Sequence, residues 1–522
     1  MEKLAKPGAS AQISAPLLAA LQVAAERPHT AFYTPGHKRG QSIPHPLVTL
    51  LGARVFRADL PELPQLDNLF VPQGVLQEAQ ELAAAAFGAG RTWFLVNGST
   101  CGVEAAILAT CNPGDKLILP RTVHQSAIAG LILSGAQPVF INPDYDSQLD
   151  IAHCVSPTAV AAALTDHPDA RAVLIVSPTY YGVCGDVAAI AQVVHQYGIP
   201  LLVDEAHGPH FAFHDDLPLS ALAAGADLAV QSIHKVLSAL TQAAMLHVSR
   251  DAMQPGRRID CDRISQALQF LQSSSPSYLL LASLDAARQQ MALSGEQLMA
   301  QTLHLARDAR SRIQQIPGLS VLEESIGSTI VTGTQSSGFF ALDPTRLTVT
   351  VTGLGLTGFE ADAILDEQLA VAIELPSQRH LTSIISLGNT PADIDRLVSA
   401  LTTLAQEHQL PASTHLPATS LPALPALPAL SPREAFSAAT ETRSRQQAIG
   451  CISAELICPY PPGIPVLLPG EHITATALDY LQQILALGGT ISGCADPTLQ
   501  TLKIAQPRQY GRRQEAEDRG QK

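Results

Sequence analysis

Between residues 92 and 248 short apolar, β-branched runs alternate with Ala-rich amphipathic stretches, and this alternation restricts the chain to successive βα units. Strands are predicted at 93–96, 116–119, 138–141, 172–176, 200–203, 227–231 and 243–248. Several are apolar on both faces, the pattern of a mostly parallel sheet covered by helices. The intervening segments 100–111, 126–134, 158–166, 187–197 and 220–224 read as helices, as do 258–272 and 279–315, the last long enough to leave the sheet and reach another unit.

After an N-terminal arm (1–30) and this large domain (31–315), a smaller α/β unit is predicted over 316–408. Its strands fall near 320–322, 338–342, 346–350 and 382–386, with helices at 358–369 and 391–407. The last helix opens on Thr390-Pro391-Ala392-Asp393, an N-cap hydroxyl, a proline in the first turn and an acid that suits the helix dipole. Residues 409–431 repeat Leu-Pro-Ala, and proline's missing donor and fixed φ leave them as a semi-extended linker. Ser431-Pro432-Arg433-Glu434 then has the form of a capping box and starts a C-terminal α+β domain (432–506), and the charged tail 507–522 is expected to be disordered.

A 522-residue chain with 46% hydrophobic residues has material for several cores. With 46 acidic against 32 basic residues its formal charge is −14, which disfavours nucleic acid and suits cationic small molecules. The eight cysteines form no CxxC pair and no zinc-like spacing with histidine, so no metal is expected and the thiols read as reduced, in a cytoplasmic protein. Neither a leader-type apolar segment nor a membrane-length apolar run is present in the sequence.

The chemistry concentrates in two short segments. Leu201-Leu202-Val203-Asp204-Glu205-Ala206-His207 brings an aspartate to the end of an apolar strand, where open α/β sheets bind ligands. Ser232-Ile233-His234-Lys235 follows the next strand and carries a lysine. A lysine amine able to form a Schiff base and a carboxylate able to keep a pyridine nitrogen protonated are the two groups that pyridoxal 5′-phosphate (PLP) chemistry requires. Asn97-Gly98-Ser99-Thr100 is a glycine turn entering a helix, a site where backbone N–H groups and hydroxyls stabilise a phosphate, to which Ser232 and His234 add donors. Ala206 is small enough for a ring to lie against the strand end, and His124 stands where it can stack on the opposite face. Asp204-Glu205-Ala206-His207 also imitates a helicase box, but the chain contains no GxxxxGK[ST] loop to hold a nucleotide.

With these residues in order, the sequence resembles the Orn/Lys/Arg decarboxylase family, basic amino acid decarboxylases of PLP fold type I (aspartate-aminotransferase-like). The resemblance runs through Tyr33–Gly40, Leu60–Leu69, Phe94–Gly102, the His124 segment, Ser177–Gly182, Val203–His210, Ser232–Lys235, Ser274-Ser275-Pro276-Ser277-Tyr278 and Glu455–Pro465. It implies Lys235 as the Schiff-base lysine, Asp204 as the pyridinium partner, His124 as the stacking residue, and Ser99, Thr100, Ser232 and His234 on the phosphate, with His207 also at the cofactor. Ser274 or Ser275 would reach a neighbouring subunit's phosphate, since the family's members are homodimers or larger with shared sites. The chain matches the short form without an N-terminal receiver-like domain.

Two positions depart from the family pattern: Gln125 stands where a lysine commonly follows the stacking histidine, and Cys451 where arginine is usual. Both remove a positive charge. The reaction implied is decarboxylation of a basic amino acid for polyamine metabolism, arginine to agmatine first, then lysine, then ornithine. Glu374, Glu455, Asp67 and Glu62 are the acids considered for the substrate's distal cation, and Lys235 or His234 for returning a proton to Cα. The alternatives are another fold type I enzyme, an aminotransferase or β-eliminating lyase, or a PLP-binding protein without turnover.

Overall fold

The computed structural model describes residues 9–254, 256, 258–323, 337–408, 428–460 and 464–506. The predicted 409–431 linker falls mostly, and the 507–522 tail wholly, outside them.

Seven strands form one sheet: β1 (Arg91–Leu95), β2 (Lys116–Pro120), β3 (Gln137–Ile141), β4 (Ala170–Val176), β5 (Leu201–Asp204), β6 (Leu228–Gln231) and β7 (Ala244–Val248). Their order is β1-β7-β6-β5-β4-β2-β3, and all neighbours are parallel except those of β7, which runs against β1 and β6. Helices α1 (Gly98–Thr110), α2 (Gln125–Ser134), α3 (Pro157–Asp166) and α4 (Val187–Gln196) are the crossovers. Because parallel strands need such covered crossovers, strands β4 to β6 are apolar and buried on both faces. One core cluster gathers Ile107, Leu131, Leu174 and Leu202, and another gathers Val160, Ile190, Val173 and Leu201.

Two predicted elements differ. Residues 220–224 make one hydrogen-bonded turn, Ala224 N–H to Ser220 O, and then pass into Gly225 with φ +100°; five residues give too few bonds to offset helix nucleation. The helix predicted from 258 starts at Cys261, where the Asp260 side chain accepts from the N–H groups of Asp262 and Arg263.

Helix α5 (Cys261–Leu271) is followed by α6 (Tyr278–Ile313), which spans 36 residues and joins two cores. Its first half packs Leu281, Leu284 and Met291 with the N-terminal region, while Ala306, Ala309 and Ile313 pack with the following unit. Within α6 the fully buried Asp285 accepts the N–H groups of Leu17 and Leu18 at 3.0 and 3.3 Å, taking the place of an N-cap for the helix Pro16–Glu26, which has none of its own. Arg288 pairs with Asp285 and donates to the carbonyls of Gln12 and Ser14.

The following unit has a four-stranded antiparallel sheet in the order Ser320–Val321, Arg346–Thr350, His380–Ile384, Leu375–Pro376, backed by Gly358–Glu367 and Pro391–Glu407. Thr390 and Asp393 make the full reciprocal cap expected at Pro391. Of the strand predicted at 338–342, Ala341–Leu342 pairs with Val183–Cys184 of the large unit instead, extended by Phe340 N–H to Cys184 O and Asp343 N–H to Gly182 O. A third core, around Ile457, Leu478, Leu481 and Ile504, belongs to the C-terminal residues, where Ala439–Ser444 pairs with Thr501–Gln506. Among the described residues no helix is long and apolar enough to cross a membrane.

Helix α1 approaches the sheet closely at Gly102, where a Cβ would lie 2.7 Å from both Leu95 Cδ1 and Val230 Cγ1. Gly102→Val is therefore expected to lower the urea-unfolding midpoint, by an amount equivalent to about 1–3 kcal/mol.

Candidate active site

Strand β5 delivers Asp204 to the carboxyl edge of the sheet, one strand from the turn that carries Lys235 after β6. Around this edge a single cavity is lined by Ser99, His124, Asp204, Ala206, His207 and Lys235, together with Tyr180 and Ile464 among others.

Asp204 is buried. Its Oδ1 accepts the Ala206 N–H at 3.2 Å, and among the described residues Oδ2 accepts no hydrogen bond. Burial raises the carboxyl's pKa, and the positive potential of His124 and Lys235 only partly offsets it. A carboxylate in this position is short of one cationic donor on its cavity side.

Lys235 ends a single 3₁₀ turn, Ile233–Lys235. Its amine lies 3.0 Å from His207 Nε2 and 5.6 Å from the centre of the Tyr180 ring. Burial lowers its pKa and Arg346 adds to this, against the opposing pull of Asp204 and Glu374. His234 is half-buried and is itself shifted down by burial and by Lys235.

At the far end of the cavity β1 enters α1 through Gly98 at φ +77°, a left-handed conformation natural to glycine. The N-cap residue Asn97 makes no side-chain cap, so the first N–H groups of α1 are left for another acceptor. Ser232 Oγ donates to Ser99 Oγ at 2.7 Å, which ties the Lys235 turn to this helix start. Thr100 lies beside it and is exposed. His124 is the N-cap of α2; its Nδ1 accepts the Ser126 N–H at 3.2 Å and fixes the ring, while burial lowers its pKa.

The remaining acids lie in different places. Glu374 is exposed, yet near enough to act electrostatically on both Lys235 and Arg346. Asp67 receives the N–H groups of Asn68, Gln73, Gly74 and Leu76, which outweigh burial and lower its pKa. Glu62 holds the Asn68 side chain and the Leu69 N–H, and Glu455 the N–H groups of Ala495 and Lys503. None of these four acids, Glu374 included, lines the cavity of its own chain. Ser274 and Ser275 are exposed between α5 and α6, also away from it. Gln125 is exposed on α2, and Cys451 sits 3.5 Å from the Arg443 guanidinium in the C-terminal unit.

Sequence reasoning did not single out Arg346 or Ile464. Arg346 begins a strand of the following unit, is fully buried, and donates from Nη2 to His207 Nδ1 (3.0 Å) and His207 O (3.2 Å). Room for it is made by Gly182, at φ +88°, where a Cβ would come within 2.6 Å of Arg346 Cβ. Nothing local to Arg346 in the sequence marks this role. Ile464 comes from the C-terminal unit, and the buried Arg121, three residues before His124, holds the adjoining backbone: it donates to Pro465 O and Val466 O and pairs with Glu471 at 2.9 Å.

A half-buried lysine and a buried, under-partnered aspartate at the carboxyl edge of a mostly parallel sheet, beside an uncapped helix start, define an α/β enzyme of PLP fold type I. Residues 15–391 match the Orn/Lys/Arg decarboxylase major domain and 415–506 the C-terminal domain of the same family. The chain is 40% identical over 493 residues to an arginine decarboxylase of Bacillus subtilis, covering 94% of this chain and 98% of that protein. It is 39% identical over 501 residues to an arginine decarboxylase of Halalkalibacterium halodurans, covering 95% and 98%. In fold it is similar to the lysine decarboxylase LdcF of Francisella novicida, with a TM-score of 0.81 at 21% identity over 95% of this chain and 82% of that one. This chain belongs to the Orn/Lys/Arg decarboxylase family, whose reaction is the PLP-dependent decarboxylation of a basic amino acid.

Behind the cavity, His210 Nε2 lies 3.1 Å from Asp343 Oδ2, both fully buried. Burial alone would raise the Asp343 carboxyl, but His210 and Arg346 outweigh it and bring it to about 2 from 3.8. Since the folded value lies below the unfolded one, the stabilisation is complete above about pH 4 and is lost as the pH falls toward about 2. Asp343→Asn is expected to flatten the fall in the urea midpoint across that interval relative to the unsubstituted protein.

Proposed function

We propose that this chain converts arginine to agmatine with PLP held between Asp204 and His124 and attached through Lys235. The observation that carries the reading is the pairing of a half-buried amine with a buried carboxylate whose Oδ2 has no partner among the described residues. Asp204 could accept a hydrogen bond from a protonated pyridine nitrogen here, an interaction that burial would strengthen. The uncapped start of α1, with Ser99 and Ser232 already in contact, suits a phosphate dianion, with Thr100 and His234 as further donors. Ala206 lines the same wall without obstructing a planar ring.

When bound, PLP provides a sink for the electron pair left at Cα as CO2 departs. With PLP bound, Asp204 would maintain the positive charge at its ring nitrogen, His124 would pack on its ring face, and Lys235 or His234 would return the proton to Cα. Glu374, exposed and outside the cavity lining, is the one of the four acids that acts electrostatically on Lys235, and we assign it to the substrate's distal cation. The preference for arginine rests on the arginine decarboxylases that are 39–40% identical over nearly the whole length. The second reading, lysine, draws on the solved lysine decarboxylase, whose 21% identity speaks for the fold alone. Exposure of Ser274 and Ser275 away from their own cavity supports a homodimer in which they serve the partner's phosphate. A cytoplasmic place in polyamine metabolism completes the reading.

Borohydride reduction of the PLP-loaded protein followed by peptide mapping is expected to label Lys235, and incubation with arginine to yield agmatine and CO2. Label on another amine, or amino-group exchange with a 2-oxo acid without CO2, overturns the reading. Asp204→Asn is expected to lower kcat by about 10²-fold or more. Glu374→Gln is expected to raise KM for arginine by about 5- to 10-fold with little change in kcat, as loss of a distal binding contact does.

A further inference from the structure

We infer that Arg346 is a positioning residue that, acting through His207, holds the free side chain of Lys235 as a neutral amine. The argument is one of donors and acceptors. A guanidinium has only N–H donors, so Arg346 Nη2, 3.0 Å from His207 Nδ1, donates there, and its other hydrogen goes to His207 O at 3.2 Å. His207 Nδ1 is therefore bare, and the ring proton of the neutral imidazole sits on Nε2. Nε2 lies 3.0 Å from Lys235 Nζ. With a donor on the imidazole side, the lysine nitrogen accepts through a lone pair, which the neutral amine has and the ammonium lacks. An ammonium would set two donors against each other.

The surroundings make this tautomer hard to escape. His207 and Arg346 are both buried, so neither ring nor guanidinium can turn to water instead. The Asp343 carboxylate lies 3.9 Å from Arg346 Nε, too far for a hydrogen bond, and the strand start is held by the Arg346 N–H to Asp343 O bond at 3.1 Å. Among the described residues Nε and Nη1 have no hydrogen-bond partner, so His207 receives the hydrogen bonds that the guanidinium makes. Burial and the charges of Lys235, Arg346, His124 and His234 hold His207 well below its usual pKa, so a doubly protonated ring, which would also have no acceptor for Arg346, is disfavoured. The groups that act on Lys235 are Asp204 and Glu374, which favour the ammonium, Arg346, which opposes it, and the two histidines His124 and His234 that share its positive potential. The face of the Tyr180 ring is the remaining neighbour, 5.6 Å away. Since only the neutral amine attacks a carbonyl, the array delivers Lys235 ready for attachment to an aldehyde cofactor.

The inference takes its purpose from the reading of Lys235 as the cofactor's amine, but its test needs neither cofactor nor substrate. The cofactor-free full-length chain is exposed to trace acetic anhydride across a pH series, and acylation of the Lys235 peptide is followed by mass spectrometry; the midpoint reports when the amine becomes neutral. Arg346→Met is expected to raise that midpoint by about one pH unit, a tenfold slower reaction below it. Because a guanidinium also acts on Lys235 by charge alone, the same substitution is made in a His207→Ala background. Relay through His207 reduces the shift there to less than half. A shift of half or more, or none in the single variant, overturns the inference. Should Arg346→Met fail to fold, the ¹⁵N shifts of His207 in the unsubstituted chain decide: a proton on Nε2 upholds it, and one on Nδ1 overturns it. Borohydride label on another residue would defeat the reading of function while leaving these outcomes intact.

Discussion

The structure turns on the carboxylate of Asp204, which the parallel pairing of β4, β5 and β6 carries to the end of a strand buried on both faces. Burying an ionisable group without a full set of partners opposes folding, a cost that the sheet's many apolar contacts offset. The cavity residues form a complement to that one group. His124 and Lys235 bring groups that favour its ionised form when they are protonated, and the start of α1 brings uncommitted N–H groups. His124 and the start of α1 are set by crossover connections, and Lys235 by the turn that joins the antiparallel neighbours β6 and β7.

Much of this was legible because it is written in local pattern. The seven strands were found within a few residues of their observed bounds, since runs such as Leu201–Asp204 are apolar on both faces and flanked by amphipathic helices. The cap at Thr390–Asp393 was equally readable, because all its parts lie within four residues. Elements that depend on distant partners were not readable in the same way. Ala341–Leu342 pairs across to Val183–Cys184, and no periodicity in either segment announces the other. The short turn at 220–224 has helical composition but too few residues to propagate.

The site divides along the same line. Lys235, Asp204, Ser99, Ser232 and His124 lie at the ends of predicted strands or starts of predicted helices, so the fold class brings them to one edge. Arg346 contributes through a contact between units that are 139 residues apart in sequence at His207, and its importance lies in what it donates to. Asp67 and Glu455 show contacts that pattern alone does not display: Asp67 accepts backbone N–H groups of its own loop, and Glu455 those of Ala495 and Lys503, far away in sequence.

The grip of Arg121 on Pro465 and Val466, sealed by Glu471, has an architectural corollary. It welds the last part of the polypeptide to the rim of the catalytic chamber at a point only three residues from the ring of His124, and seats Ile464 in the chamber wall. Registration between the two bodies is thus enforced by direct contact between their own side chains and backbone.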